Sequence, residues 1–279
     1  MLGIFRKSVW YVSSRTAPFK GKETLVGLLA RPNSVGSVRI SRGGASWLVQ
    51  GHDLNEFTLA VRPNHSSLIS DALSREIGRH SYRVLWDIGA NIGAISLPLL
   101  KKHDGLTSVL FEPSAEVAGR LIRNLSINPD ILDRAKVMNV ALSDSEGLTE
   151  FYVSNEPFNS GTAGLGHSHN RFQFPISVQA YTGDSLIAAG KCPVPDIIKI
   201  DVEGFEINVF KGLQQTLAKH HPPILFEHSL YRLKERNSAH DETTRFLQSL
   251  GYTVFRLSDD KPVTSDDLDR DADFIAKMV

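Results

Sequence analysis

The sequence predicts a doubly wound α/β fold, in which a mainly parallel seven-stranded sheet carries helices on both faces and follows an N-terminal α+β appendage. Three observations predict it. From Tyr82 onward, short apolar runs alternate with segments of helical period, the pattern of a parallel sheet covered on both sides. The first of these runs ends in a glycine-containing turn, Asp87-Ile88-Gly89-Ala90-Asn91-Ile92-Gly93, where open α/β sheets bind their ligands. The 279 residues, 41% of them hydrophobic, suffice for one large core plus an appendage of roughly 80 residues.

The strands are read at residues 84–88, 108–112, 136–141, 197–201, 224–227, 253–257 and 274–278. Ser114 follows Pro113 as a helix N-cap, and Val117, Leu121 and Leu125 then fall at four-residue spacing until Asn128-Pro129 stops the helix. Phe205, Val209, Leu213 and Leu217 make a second stripe, closed before Pro222-Pro223. A third helix covers 241–250 and ends at Gly251, the residue type a left-handed cap prefers. Pro98 lies inside the helical stretch that opens at Ile92, so a kink is expected there.

Two regions depart from this rhythm. Residues 1–80 read as an N-terminal cap or substrate-binding appendage, with strand-like runs at 46–50 and 57–62 and a helix at 66–77. The main domain then covers 81–279. It carries an insertion at 148–180, where alternation at 149–153 and 176–180 flanks a glycine-rich middle. We expect a hairpin under a mobile loop over the active site, since loops this long in a compact domain are usually functional.

Composition excludes several classes. Lys plus Arg equals Asp plus Glu at 31 each, so no global field draws the chain to nucleic acid or to an anionic membrane. No basic run exceeds two residues, which leaves no phosphate-tracking surface. The single Cys192 rules out an internal disulfide, reads as structural, and suits a reducing, cytoplasmic location. No apolar run approaches the ~20 residues of a membrane-spanning helix, and the first 20 or so residues lack the apolar core of a secretory signal. Phe5-Arg6-Lys7 and Val9-Trp10-Tyr11 could touch a membrane surface or a partner, but a partly ordered amphipathic start is the plainer reading. The partner expected is a small-molecule or glycan substrate, and nothing here sets the oligomeric state.

The turn at Asp87 to Gly93 narrows the ligand. A dinucleotide loop needs G-x-G-x-x-G, because its second glycine lets backbone approach the pyrophosphate. Asn91 occupies that position and Ala94 the third. S-adenosylmethionine has no pyrophosphate and makes no such demand. Asp87 can then take its ammonium directly or through water, while Gly89, Ala90, Asn91, Ile92 and Gly93 shape the turn beneath the methionine part. Glu112 ends the second strand, where an acid can accept both ribose hydroxyls, with Ser114 beside it. Ala141, Leu142 and Ser143 follow the third strand and would flank the adenine, Leu142 giving an apolar face.

A second constellation, Lys199-Ile200-Asp201-Val202-Glu203-Gly204-Phe205-Glu206, marks the end of the fourth strand. Asp201 would project into the cleft where a methyl group is transferred; its structural reading is a helix cap, with Glu203 and Glu206 favouring the helix N-terminus. Glu227 and His228 end the next strand. Because Asp201, Glu227 and His228 end adjacent strands on the ligand-binding edge, they are the candidate catalytic residues. His167 and His169, in the insertion, are weaker candidates that read more simply as a polar loop.

With these residues assembled, the sequence resembles the FkbM-type methyltransferases. The resemblance runs from about Trp86 to His228 through WDIGANIGAISL, FEPSAE, NVALSDSEG, DIIKIDVEGFEINVFKG and PPILFEH in order. It implies a class I, Rossmann-like methyltransferase fold and S-adenosylmethionine-dependent O-methylation of a hydroxyl on a sugar, a glycolipid or glycan, or a polyketide-type metabolite. It does not extend to residues 1–80. A sugar hydroxyl is a poor nucleophile when neutral, so it needs a proton acceptor or a metal. In one version His228 or Asp201 is the general base. In the other, Asp201 and Glu227, with or without His228, bind a divalent ion such as Mg²⁺. Two other classes share the fold: a nicotinamide-dependent oxidoreductase, disfavoured by Asn91, and a non-catalytic scaffold, disfavoured by the intact pocket residues.

Overall fold

A computed structural model describes residues 37–50, 53–61, 67–154, 164–165, 173–235 and 239–279, together with Val9. The described chain opens with a hairpin, β1 (Val38–Arg42) and β2 (Ala45–Val49), then the helices α1 (Leu54–Val61) and α2 (Ser67–His80). β3 (Val84–Ile88), α3 (Ser96–Lys102), β4 (Thr107–Phe111), α4 (Ala115–Ser126) and β5 (Ala135–Met138) follow. β6 (Ala141–Leu142), β7 (Gly147–Ser154), β8 (Gly164–Leu165) and β9 (Gln173–Tyr181) lead to α5 (Gly183–Ala188) and β10 (Ile197–Ile200). α6 (Glu206–Gly212), α7 (Gln214–His220), β11 (Ile224–His228), α8 (Leu230–Glu235), α9 (Glu242–Ser249), β12 (Thr253–Arg256) and β13 (Ala272–Lys277) complete it.

The seven-stranded sheet has the order β12-β13-β11-β10-β3-β4-β5. β13 is antiparallel to both of its neighbours, and the pairs from β11 through β5 are parallel. Side chains alternate across each strand, so the sheet has two cores. Leu85, Leu110, Ile197, Leu225 and Ile275 face one, with Trp47 of the hairpin, Phe57 of α1, Leu97 of α3 and Leu121 of α4. Trp86, Phe111, Ile198, Phe226 and Phe274 face the other, with Val209, Leu213, Leu217 and Leu247. The strand order reverses beside β3, so the cleft opens at the loops after β3 and β10.

All seven predicted strands are present in this sheet, but four local expectations are corrected. The run at 136–141 is not one strand: β5 ends at Met138, and Ala141–Leu142 pairs with β9 instead. Between them the Asn139 amide donates to the carbonyls of Glu112 and Pro113 at 2.8 and 3.0 Å, and the chain leaves the central sheet there. The run at 57–62 lies in a helix, α1, because buried Phe57, Ala60 and Val61 fall at i, i+3 and i+4. Asp53 caps it, its Oδ1 accepting the Glu56 N–H at 3.2 Å. α3 has no proline kink; it starts only at Ser96, which puts Pro98 in the first turn, where the missing N–H has no intrahelical partner to lose. The stripe Val209, Leu213, Leu217 is buried as expected, yet the helix is interrupted at Leu213 into α6 and α7.

The insertion forms the expected hairpin, β7 against β9, within a four-stranded sheet ordered β6-β9-β7-β8. Its glycine-rich middle, His167 and His169 lie outside the described residues, as does the chain start apart from Val9. Cys192 is buried, and burial pushes its thiol up, as a structural cysteine requires. Among the described residues no helix is long and apolar enough to cross a membrane.

The N-terminal hairpin is bound to α4 by polar side chains as well as by its core. Asn124 Oδ1 accepts the Leu48 N–H at 2.8 Å, and Asn128 Oδ1 accepts the Ser46 N–H at 2.9 Å. Asn128 Nδ2 also donates to the Ser46 carbonyl at 2.7 Å. These two side chains occupy the free edge of β2, which would otherwise present unpaired backbone. Asn128→Ala leaves the Ser46 N–H and carbonyl on that edge without partners, so urea denaturation should show a loss of about 1–3 kcal/mol with an unchanged m-value.

Candidate functional site

The loop after β3 is built from three left-handed residues, Gly89, Asn91 and Gly93, with φ of +79°, +49° and +82°. Asparagine is among the few non-glycine residues that adopt this conformation readily. At Gly89 space also decides the residue, because a Cβ would lie 1.9 Å from the Asp201 carbonyl oxygen. At Gly93 a Cβ would meet Leu97 Cδ1 at 2.2 Å. Gly89 and Ala90 N–H groups both donate to the Phe111 carbonyl, at 3.0 and 2.9 Å, which fixes the loop on the end of β4. Ala90 and Ile92 are buried beneath it.

Glu112 is joined to this loop. Its Oε2 accepts the Asn91 N–H at 3.0 Å and its Oε1 the Ser114 N–H at 2.9 Å. Burial pushes its carboxyl up to about 7, against the lowering effect of those two N–H groups. Ser114 caps α4, its hydroxyl oxygen accepting the Val117 N–H at 3.4 Å. Asn91 Oδ1 is buried and has no hydrogen-bond partner, a free acceptor within the turn. Ala141, Leu142 and Ser143 are all buried; the Ser143 N–H donates to the Tyr181 carbonyl at 3.0 Å, and Leu142 packs with the Trp86 side of the core.

Asp87 is fully buried, and its carboxylate is already engaged. The Ser96 hydroxyl donates to Oδ2 at 2.6 Å, and Lys199 Nζ lies 3.1 Å from Oδ1. Lys199 pairs with Asp87 in the register of β10 against β3. Its ammonium also donates to the Gly89 carbonyl at 2.9 Å and lies 3.5 Å from Asp201 Oδ2. Burial would push this ammonium down, but Asp87 and then Asp201 outweigh it and hold the group at about 12. Lys199 opens the second sequence constellation but was assigned no role from the sequence. It could have been found from alternation, because Lys199 and Asp201 are two apart on a strand whose neighbour is β3.

Asp201, Glu227 and Asp273 form a row of carboxyl groups across three strands. Ile200 pairs with Phe226, which sets Asp201 level with Glu227, and Glu227 pairs with Asp273. Burial, followed by the charges of Asp201, Glu203 and Asp273, pushes Glu227 up to about 8. Burial and Asp201 push Asp273 up as well. Glu203, in a left-handed conformation with φ of +55°, accepts from Arg232 Nε at 2.8 Å. Burial, then Asp201, pushes Glu203 up to about 7, against Arg232. Glu206 is also pushed up to about 7 by burial, although its Oε1 accepts the Gly204 N–H at 3.1 Å.

The structure does not bring His228 into this group. Residues 227 and 228 are neighbours on one strand and face opposite sides of the sheet. His228 is buried on the side of Phe274, their ring centroids 5.4 Å apart, and Nε2 is hydrogen-bonded to the Leu268 carbonyl at 3.0 Å. Burial pushes the imidazole down. The expectation that His228 could join Asp201 and Glu227 is corrected on that ground. Among the described residues no group of three or more His, Cys, Asp or Glu side chains is arranged to hold a metal ion.

Residues 87–254 match the sequence profile of the methyltransferase FkbM domain. The chain is 31% identical over 134 residues to hexuronic acid methyltransferase AglP of Haloferax volcanii, an alignment that covers 48% of this chain and 51% of that protein. It is 29% identical over 178 residues to 2-O-methyltransferase NoeI of Sinorhizobium fredii, covering 60% of this chain and 72% of that protein. The chain thus spans about half the length of the first of these relatives. Among solved structures, methyltransferase FkbM from Methylobacillus flagellatus superposes with a TM-score of 0.46 at 16% identity, over 80% of this chain and 55% of that one.

The buried ammonium gives this site a direct test. Lys199→Met leaves Asp87 buried and uncompensated, and should destabilise the protein by about 3–5 kcal/mol in chemical denaturation. A lysine whose pKa is raised on folding stabilises fully below its unfolded value and loses that contribution as pH rises through the folded value, here about 12. The difference between wild type and Lys199→Met should therefore be constant from pH 7 to about 10 and shrink only above it.

Proposed function

This chain belongs to the methyltransferase FkbM domain family, and we propose that it is an S-adenosylmethionine-dependent O-methyltransferase acting on a hydroxyl of a sugar-type acceptor. The observation that carries the reading is the union of the glycine loop with the Asp201 turn: Lys199 touches Asp87, the Gly89 carbonyl and Asp201 at once. A loop suited to the cofactor and a carboxylate suited to the acceptor are thereby held as one rigid unit. The names of the relatives, a hexuronic acid methyltransferase and a 2-O-methyltransferase, support a sugar hydroxyl as acceptor.

The residues present fit the cofactor. Asn91 Oδ1 is a buried acceptor in need of a donor, and S-adenosylmethionine carries an ammonium and ribose hydroxyls. Glu112 accepts ribose hydroxyls in this reading, and Asn91 and Ser114 flank it. The segment 141–143 borders the adenine. Asp87, bonded to Lys199 and Ser96, shapes the loop from below. When bound, the cofactor supplies a methyl group already activated on a sulfonium.

The chain's own work is then to place an oxygen and to remove a proton. Asp201, whose side chain is 40% exposed, accepts a hydrogen bond from the attacking hydroxyl and holds it in line. Glu227, whose carboxyl is pushed up to about 8, takes the proton as the oxygen–methyl bond forms. The insertion hairpin and residues 1–80 would then frame the acceptor.

Four measurements test this reading. S-adenosylhomocysteine should bind in calorimetry, and a cofactor labelled in its methyl group should pass the label to a sugar hydroxyl; absence of binding would refute it. The specificity constant kcat/KM should rise with pH through about 8, as Glu227 ionises in the free protein, and level off above it, while kcat levels off at lower pH. Glu227→Gln should lower kcat by about 10²–10⁴-fold and flatten that profile, whereas His228→Gln should keep its shape. Activity after exhaustive EDTA treatment should be unchanged, and loss restored by Mg²⁺ would return Asp201 and Glu227 to the role of metal ligands.

A further inference from the structure

A half-open cavity of about 510 Å³, lined mostly by polar residues, lies beside the carboxyl row. It is lined by Leu68, Arg256, Ser258, Asp259 and the segment from Arg270 to Asp273. It shares Asp273 with the row, and Asp273 pairs with Glu227, so the cavity lies one strand away from the proposed proton acceptor. One wall, Leu68, belongs to α2 of the N-terminal region and is 42% exposed. None of the remaining walls belongs to the glycine loop or to the Glu112 end of the sheet.

The charges of the cavity are matched internally. Arg256 donates to both oxygens of Asp267 at 2.9 and 3.0 Å, and to Asp259 Oδ1 and Oδ2 at 2.9 Å each. Arg270 is paired with the same buried Asp267 and keeps a side chain 62% exposed. Asp271 accepts the Leu230 N–H at 2.8 Å, tying this wall to α8 beside the cleft. Against two guanidinium groups the lining sets three carboxyl groups, with Asp267 beneath, so it carries no surplus positive charge for a phosphate or a second carboxylate. What it offers is a ring of fixed acceptors, the free N–H groups of Arg270, one hydroxyl and an apolar side chain. Vicinal hydroxyls suit paired carboxylate oxygens, and the C–H face of a pyranose suits an exposed leucine.

We propose that this cavity is an acceptor subsite that holds an uncharged sugar unit of the glycan, next to the unit whose hydroxyl faces Asp201 and Glu227. It rests on the methyltransferase reading above and adds to it a second sugar-binding position and a neutral ligand class. The subsite would make a neutral oligosaccharide a better ligand than the same chemistry on a single sugar.

The test uses the full chain with S-adenosylhomocysteine on an array of neutral and acidic oligosaccharides, alongside calorimetry with S-adenosylhomocysteine alone. Ser258→Trp fills the cavity from an exposed turn, and Arg270→Ala removes its adjustable donor. Wild type should retain neutral oligosaccharides, and each variant should lose that retention by about tenfold or more while binding S-adenosylhomocysteine as wild type does. Retention of acidic glycans only, retention of none, or equal retention by both variants overturns the subsite while leaving the cofactor reading intact. Failure of wild type to bind S-adenosylhomocysteine overturns the function itself.

Discussion

A single buried ammonium sets the geometry of the cleft. Lys199 reaches a carboxylate on β3, a backbone carbonyl in the glycine loop and a carboxylate after β10, from the middle of a parallel sheet. Removing a lysine from water is costly, and the arrangement is tolerable only because Asp87 is buried with it and the remaining donors have partners. That pairing then dictates the rest. Asp87 must lie at the strand end, Gly89 must have no side chain so that the loop can sit 1.9 Å, measured from its would-be Cβ, from the Asp201 carbonyl, and Asp201 must emerge beside it.

This interaction also shows where sequence reading succeeds and where it stops. Apolar runs bounded by turn residues placed every strand of the central sheet, because a strand covered on both faces has few other ways to look. The turn at Asp87 to Gly93 and the acid at Glu112 were legible as features because they are local: each sits at a strand end, and Glu112 is tied to Asn91; their cofactor role belongs to the proposal. His228 is set apart by the pleat, which turns it to the Phe274 side of the sheet while Glu227 faces the other. The same alternation, applied to Lys199 and Asp201, was available and would have revealed the hub. Asp273 was not available, because only the antiparallel register of β13 on β11 brings it beside Glu227.

The N-terminal region was harder for a different reason. An eight-residue helix such as α1 shows little more than two turns, so a short apolar stretch reads equally well as a strand. What settles it is tertiary: Asp53 and Glu56 of this segment pair with Arg120 of α4, and all three are buried. The hairpin is held in the same way, by Asn124 and Asn128, and Asn124 Nδ2 continues to the Ile92 carbonyl at 3.1 Å. The appendage is thus connected through α4 to the glycine loop by polar contacts that have no signature in periodicity.

The carboxyl groups around the cleft are held out of water, and their raised values record that burial. Glu112, Glu203, Glu206 and Glu227 are all pushed up to between about 7 and 8, in each case by burial first. Lys199 cannot relieve them all, since its charge is taken by Asp87 and Asp201. A cation placed beside such groups lowers their values and is itself stabilised. On the proposed reading, these residues would stand near a sulfonium, which would supply such a charge when bound. Ionised carboxyl groups there would then favour the charged cofactor over a product with a neutral sulfur. Beside such a charge Glu227 would be ionised in a larger fraction of molecules, and so available to take a proton, though as a weaker base.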